Sequence, residues 1–175
     1  RILQYRNKHA DRALKRQQLE ALKPVCARHQ ALLIVNDDWR LAAELGIKAV
    51  HLGEDDGDIQ EARQALGPGS LIGVSCYASV ERARALAPVA DYLAFGALFA
   101  SGTKPLARPA PLSVFREAQA LSLARPLVGI GGIDAANIGS VLAAGADAAA
   151  VIGSLFRQGD VRAAAQRLVA AAARP

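Results

Sequence analysis

Two acidic clusters each end an apolar run: Asn36-Asp37-Asp38 closes Ala31-Leu-Leu-Ile-Val35, and Glu54-Asp55-Asp56 follows Lys48-Ala-Val-His-Leu52 and Gly53. A short apolar run that breaks into carboxylates reads as a buried strand delivering acids to one end of a sheet. If neighbouring parallel strands carry the two runs, both acidic clusters emerge at the same carboxyl-terminal end, where α/β enzymes place their chemistry. Two converging carboxylates suit Mg²⁺, a hard cation that takes oxygen ligands and commonly only one or two carboxylates. Taken singly, either cluster reads more readily as a helix cap, because Asp and Asn side chains accept nearby backbone N–H groups.

Further polar residues fall after other strand-like runs. Gln4, Arg6 and Lys8 share one face of an extended segment by the period-two rule, and that face is polar and cationic. Ser75 ends another run, Ser101-Gly-Thr-Lys104 opens a loop rich in turn formers, and Gly131-Gly132 and Gly153-Ser154 follow the last two strands. Side-chain-free turns in such positions let an anion approach backbone N–H groups closely, and a phosphate often sits at the last two loops of a barrel. Gly131-Gly132 reads equally well as a tight strand-to-helix turn. His51 lies inside its strand and reads as a packing histidine, and no Ser-His-Asp or Cys-His set stands out.

The elements that must position these groups alternate without long linkers. Strands are expected at Ile2–Tyr5, Ala31–Val35, Ala49–Leu52, Leu71–Val74, Tyr92–Phe95, Leu127–Ile130 and Ala148–Ile152. Helices are expected at about Ala10–Arg28, with Pro24 kinking or dividing it, then Trp39–Leu45, Ile59–Leu66, Val80–Ala87, Leu112–Ala120, a helix capped by Asp134 and stopped at Gly145, and Val161–Ala173. Such regular units imply parallel strands joined by right-handed crossovers. The expected fold is α/β, a TIM (β/α)₈ barrel in which seven strands are readable and the first βα unit is absent from the sequence. A doubly wound open sheet is the alternative, but it would concentrate polar residues at one switch point, whereas here they follow nearly every strand.

Composition sets the class. The chain has 175 residues, 52% hydrophobic, 5% aromatic and 21% charged, which suits one domain over residues 1–175 with a core of small and aliphatic side chains. Its net charge of +5 comes from dispersed arginines, with no basic block, so a solvated surface and anionic small substrates are favoured over nucleic acid. No apolar window reaches membrane-spanning length and no signal-peptide pattern opens the chain, so a cytoplasmic protein with no membrane partner is expected. Cys26 and Cys76 stand far apart and read as free thiols. The oligomeric state is open, a homo-oligomer included.

Taken together, the strand ends resemble the thiamine-phosphate synthase family: QYRNK, ND, VHLGEDD, GVSCY, FGALFASGTKP, GIGGI and AVIGSLF occur in order from residue 2 to about 156. The resemblance implies a TIM-barrel transferase that joins 4-amino-2-methyl-5-hydroxymethylpyrimidine diphosphate to a thiazole phosphate, forming thiamine phosphate and releasing pyrophosphate. It implies that Asp37 and Asp56 bind Mg²⁺. By the same carry-over Gln4, Arg6, Lys8, Asn36, Ser75 and Lys104 hold the pyrimidine diphosphate, with Arg6, Lys8, Lys104 and Ser75 in catalytic roles. Ser101, Gly102, Thr103, Gly132, Ile152 and Gly153 take the thiazole phosphate. Glu54 stands where the family commonly has glutamine, Ser101 where it has threonine and Gly153 where it has serine, changes that bear on affinity. Two rivals are a related thiazole tautomerase, which is expected to carry a histidine where this chain has Ala97, and a noncatalytic barrel that binds a phosphorylated ligand.

Overall fold

A computed structural model describes residues 1–100 and 109–173. The chain falls into two compact units, Arg1–Val74 and the residues from Ser75 onward. In the first, β1 (Ile2–Tyr5), β2 (Leu32–Asn36), β3 (Ala49–Leu52) and the opening of β4 (Leu71–Tyr77) lie side by side in chain order, all parallel. Their register pairs Tyr5 with Val35, Asn36 with His51 and Leu52 with Val74. The strands therefore finish nearly level, and the segments after β1, β2 and β3 leave from one end of the sheet.

Three helices, α1 (Arg12–Arg28), α2 (Trp39–Glu44) and α3 (Ile59–Leu66), connect these strands. Each starts at an aspartate whose carboxylate accepts backbone N–H groups: Asp11 from Leu14, Asp38 from Leu41, and Asp58 from Gln60 and Glu61. Pro24 lies within α1 without dividing it, which corrects the expected break. One missing N–H is tolerated because the helix is anchored to the core on both sides of it, by Leu19 and Cys26. Strands β2 and β3 are nearly continuous in buried apolar residues (Leu33, Ile34, Val35; Ala49, Val50, Leu52), as expected for parallel strands covered on both faces.

The second unit carries β5 (Tyr92–Phe95), β6 (Leu127–Ile130) and β7 (Ala148–Ala150), again parallel in chain order, with Phe95 paired to Gly129 and Ile130 to Ala150. Its helices are α4 (Val80–Leu86), α5 (Ser113–Ala120), α6 (Ile138–Ala143), α7 (Gly153–Phe156) and α8 (Val161–Ala172). Phe95 and Phe115 are fully buried and meet edge to face at 5.7 Å, joining β5 to α5.

Several boundaries differ from the sequence reading: β2 is shifted by one residue to Leu32–Asn36 and α1 starts at Arg12. Strand β4 continues three residues past Val74. The Asp134 carboxylate accepts the N–H groups of Ala136 and Asn137 in a turn, and α6 begins only at Ile138. Strand β7 stops at Ala150, two residues short of the expected Ile152, because the chain turns there into the short α7, which was not among the expected helices.

Candidate functional site

In the first unit the two acidic clusters converge. Asp37, directly after β2, has a left-handed backbone (φ +68°), which short polar side chains tolerate better than bulky ones. Its N–H donates to the His51 carbonyl on β3 at 2.9 Å, so the turn is hooked onto the neighbouring strand. Asp56 folds back after β3, and its carboxylate accepts the Gly53 N–H at 2.6 Å. Its side chain lies within hydrogen-bonding reach of that of Asp37, a contact that needs a proton on one of the two acids. Burial, this hydrogen bond and the Asp37 charge raise the Asp56 pKa, against the lowering effects of the Gly53 N–H and of Lys8.

Lys8 supplies the nearest cation, with its Nζ 3.3 Å from Asp37 Oδ2. The segment that carries it is held locally: Asn7 Oδ1 accepts the His9 and Ala10 N–H groups, while Tyr5 Oη and Asn7 Nδ2 both donate to Gln18 on α1. Arg6, Lys8, Asn36 and Asp37 line one depression. Gln4, on β1, is exposed. Asp38 is the cap of α2 and is flanked by Lys15 at 3.7 Å and Arg12 at 3.9 Å, so it is engaged away from the carboxylate pair. His51 is buried, and burial pushes its pKa down to about 4 against the Asp56 charge, which leaves a neutral imidazole near pH 7.

The second unit builds with backbone. Ser75 lies inside β4, where its carbonyl accepts from Arg82 Nε at 2.9 Å; the cap of α4 is Ser79 instead. After β6 the chain turns through Gly131 (φ +100°) and Gly132 (φ +64°). The segment after β5 presses on this turn: Leu98 N–H donates to the Ile130 carbonyl and Phe99 N–H to the Gly131 carbonyl, both at 3.0 Å. A Cβ at 131 would stand 2.6 Å from Ala97, and one at 132 would stand 2.7 Å from the Phe99 and Ala100 carbonyl oxygens. Glycine is thus required there by packing as well as by φ.

Two contacts that no sequence signal indicated fasten this turn: Asn137 Nδ2 donates to the Gly132 carbonyl at 3.0 Å, and Ser154 Oγ donates to the Ile133 carbonyl at 2.7 Å. Ser154 thereby ties α7, with Gly153 at its first position and an exposed Ile152 just before it, to the β6 turn. Ser101, Gly102, Thr103 and Lys104 lie outside the described residues.

Alternating parallel strands and helices, with polar groups leaving the carboxyl ends of the strands, define an α/β protein of the TIM-barrel class. A 3-hexulose-6-phosphate synthase structure shares this fold at a TM-score of 0.71 and 19% identity over 98% of the chain and 87% of its own. A thiamine phosphate pyrophosphorylase from Pyrococcus furiosus aligns at a TM-score of 0.87 with 31% identity, over 98% of the chain and 82% of its own. The family model described as thiamine monophosphate synthase matches residues 1–155. Thiamine-phosphate synthases of Chromobacterium violaceum and Bordetella avium are 53% and 52% identical, over 96% and 97% of the chain and 81% of each relative. The chain belongs to the thiamine monophosphate synthase family.

Proposed function

We propose that Asp37 and Asp56 form the Mg²⁺ site of a transferase of thiamine biosynthesis, which joins 4-amino-2-methyl-5-hydroxymethylpyrimidine diphosphate to a thiazole phosphate. The observation that carries this reading is the hydrogen-bonded carboxylate pair beside Lys8. Two acids held close together, with the Asp56 pKa raised, call for more positive charge than one half-exposed ammonium supplies. Their hard oxygens fit Mg²⁺, and substrate oxygens would complete its shell, since no group of three or more acidic, histidine or cysteine ligands occurs among the described residues. When bound, Mg²⁺ supplies Lewis-acid stabilisation of the departing diphosphate.

In the reaction the carbon–oxygen bond to diphosphate breaks with its electron pair leaving on oxygen, and the thiazole nitrogen forms the new carbon–nitrogen bond. Arg6, Lys8 and Lys104 place positive charge on the departing anion, where it counts most in the transition state. Asn36, Gln4 and Ser75 orient the pyrimidine diphosphate. Gly132, Ile152 and Gly153, with Ser101, Gly102 and Thr103, take the thiazole phosphate, chiefly through backbone N–H groups. The phosphorylated substrates favour a cytoplasmic reaction, and no helix among the described residues is long and apolar enough to cross a membrane.

The test is a coupling assay with both substrates, run with and without Mg²⁺, on the chain and on Asp37→Ala. The expected result is Mg²⁺-dependent thiamine phosphate formation that the variant loses. Pyrimidine diphosphate binding that ignored Mg²⁺ and survived Asp37→Ala would overturn the metal assignment.

A further inference from the structure

Trp39 touches both acid-bearing segments of the first unit. Its backbone N–H donates to the Asp37 carbonyl at 3.0 Å. Its indole is buried, 6% exposed, and Nε1 faces Gly57, the residue directly after Asp56: a Cβ built on Gly57 would stand 3.2 Å from that nitrogen. The Nε1–H has no hydrogen-bond partner among the described residues. The Arg40 guanidinium covers the ring at 3.9 Å and reaches Glu61 of α3 at 3.6 Å, so the indole is held from outside by the helices that follow the two acids.

A buried donor without an acceptor is rare and costly, and tryptophan is an expensive way to fill space beside a glycine in a tight turn. Such an arrangement suits a spacer that sets how closely the Gly57 backbone lies against the start of α2. We infer that Trp39 is a positioning residue that sets the approach of the Asp56 turn to Asp37 and so tunes the affinity of the pair for a divalent cation. This rests on Asp37 and Asp56 being the Mg²⁺ ligands. Residues supporting metal ligands, rather than contacting the metal, commonly change its affinity by 10- to 100-fold when altered.

Trp39 is the single tryptophan of the chain, so its fluorescence reads this site alone. Mg²⁺ is titrated into the full chain with inorganic pyrophosphate present, followed by tryptophan emission and by calorimetry. A saturable emission change is expected, with the same half-saturation by both methods. In Trp39→Phe the calorimetric half-saturation is expected to rise by about tenfold, while kcat at saturating Mg²⁺ stays within about twofold. Gly57→Ala, which crowds Nε1, should raise it as well, and the double variant should fall short of the product of the two, because phenylalanine removes the atom that is crowded. A lowered melting temperature with unchanged Mg²⁺ half-saturation in Trp39→Phe, or fully multiplicative effects in the double variant, would overturn the positioning role while leaving the metal assignment standing. Absence of any Mg²⁺ binding to the unaltered chain would remove both.

Discussion

The two compact units equip their candidate sites by different means. The first uses charged side chains on turns: Asp37 and Asp56 meet across neighbouring strand ends, and Lys8 is laid over them by a hydrogen-bonded segment anchored to α1. The second uses backbone, with Gly131 and Gly132 turned to positive φ under the pressure of the segment after β5 and fastened by Asn137 and Ser154. The difference decides what mutation can separate. Removing the Asp56 carboxylate from the first costs one turn contact, the Gly53 N–H, and leaves the paired strands as they are, so chemistry and stability come largely apart there. In the second, the groups that would hold a phosphate are the groups that hold the turn, so the two properties fail together.

The strongest way to break that contrast is Asp56→Ala. If Asp56 holds Mg²⁺ as proposed, its loss should lower kcat/KM by about 10²- to 10³-fold in the coupling assay. Stability should not fall with it. The Asp56 pKa is raised in the folded chain, so its ionisation opposes folding once the pH passes the ordinary carboxylate range; relief of that cost offsets the lost Gly53 N–H contact, and the metal-free variant should melt close to the parent at pH 7. A large drop in melting temperature would erase the distinction between the units.

His51 sharpens the comparison from the side of stability. Folded, its pKa lies at about 4 instead of 6.5, so the unfolded chain binds the proton first as the pH falls. Its contribution is complete above pH 6.5 and is lost progressively toward pH 4, on the order of 3 kcal/mol in all. Urea denaturation across that window should show this acid limb, and His51→Gln should flatten it.

In the second unit Gly132→Ala should cost about 1–3 kcal/mol, from positive φ and from the clash with the Phe99 and Ala100 carbonyls, and should lower the melting temperature by several degrees. Affinity for the thiazole phosphate should weaken in the same variant; full stability with weakened binding would show that this turn, too, separates the two properties. The smallest effect is expected for Asp38→Ala. Removing the α2 cap should cost about 1 kcal/mol in urea denaturation and leave kcat/KM within about twofold, because Asp38 is engaged with Leu41, Lys15 and Arg12 rather than with the carboxylate pair.

Much of this was legible in the residues. Runs such as Ala-Val-His-Leu and Tyr-Leu-Ala-Phe are long enough for one strand and are closed by glycine, so β3, β5 and β6 coincide with their expected limits, as does β1. Where local signals competed, the reading slipped. Asp134 has the look of a helix cap, yet its carboxylate closes a turn four residues before α6. Val151-Ile152 has the composition of a strand, yet Ile152 is the entry to α7. Trp39 reads as an ordinary apolar residue at the start of a helix, and nothing in its spacing indicates that Nε1 lies against Gly57.

The sequence by itself determined which groups are available and at which strand ends they leave the sheet: Asn36-Asp37-Asp38 after one strand, Glu54-Asp55-Asp56 after the next, and paired glycines after β6. Those properties depend on local hydrophobic period and turn chemistry, which neighbouring residues decide. Tertiary packing brings particular members of the two clusters together. Parallel register sets Asn36 level with His51, the Asp37 N–H is hooked to the His51 carbonyl, and Asp56 folds back onto Gly53, so that Asp37 and Asp56 meet while Asp38 turns to cap α2. Each of these contacts, apart from the cap and the fold-back, joins residues from different strands, and that pairing distance is set by the packing of the sheet rather than by anything written along the chain.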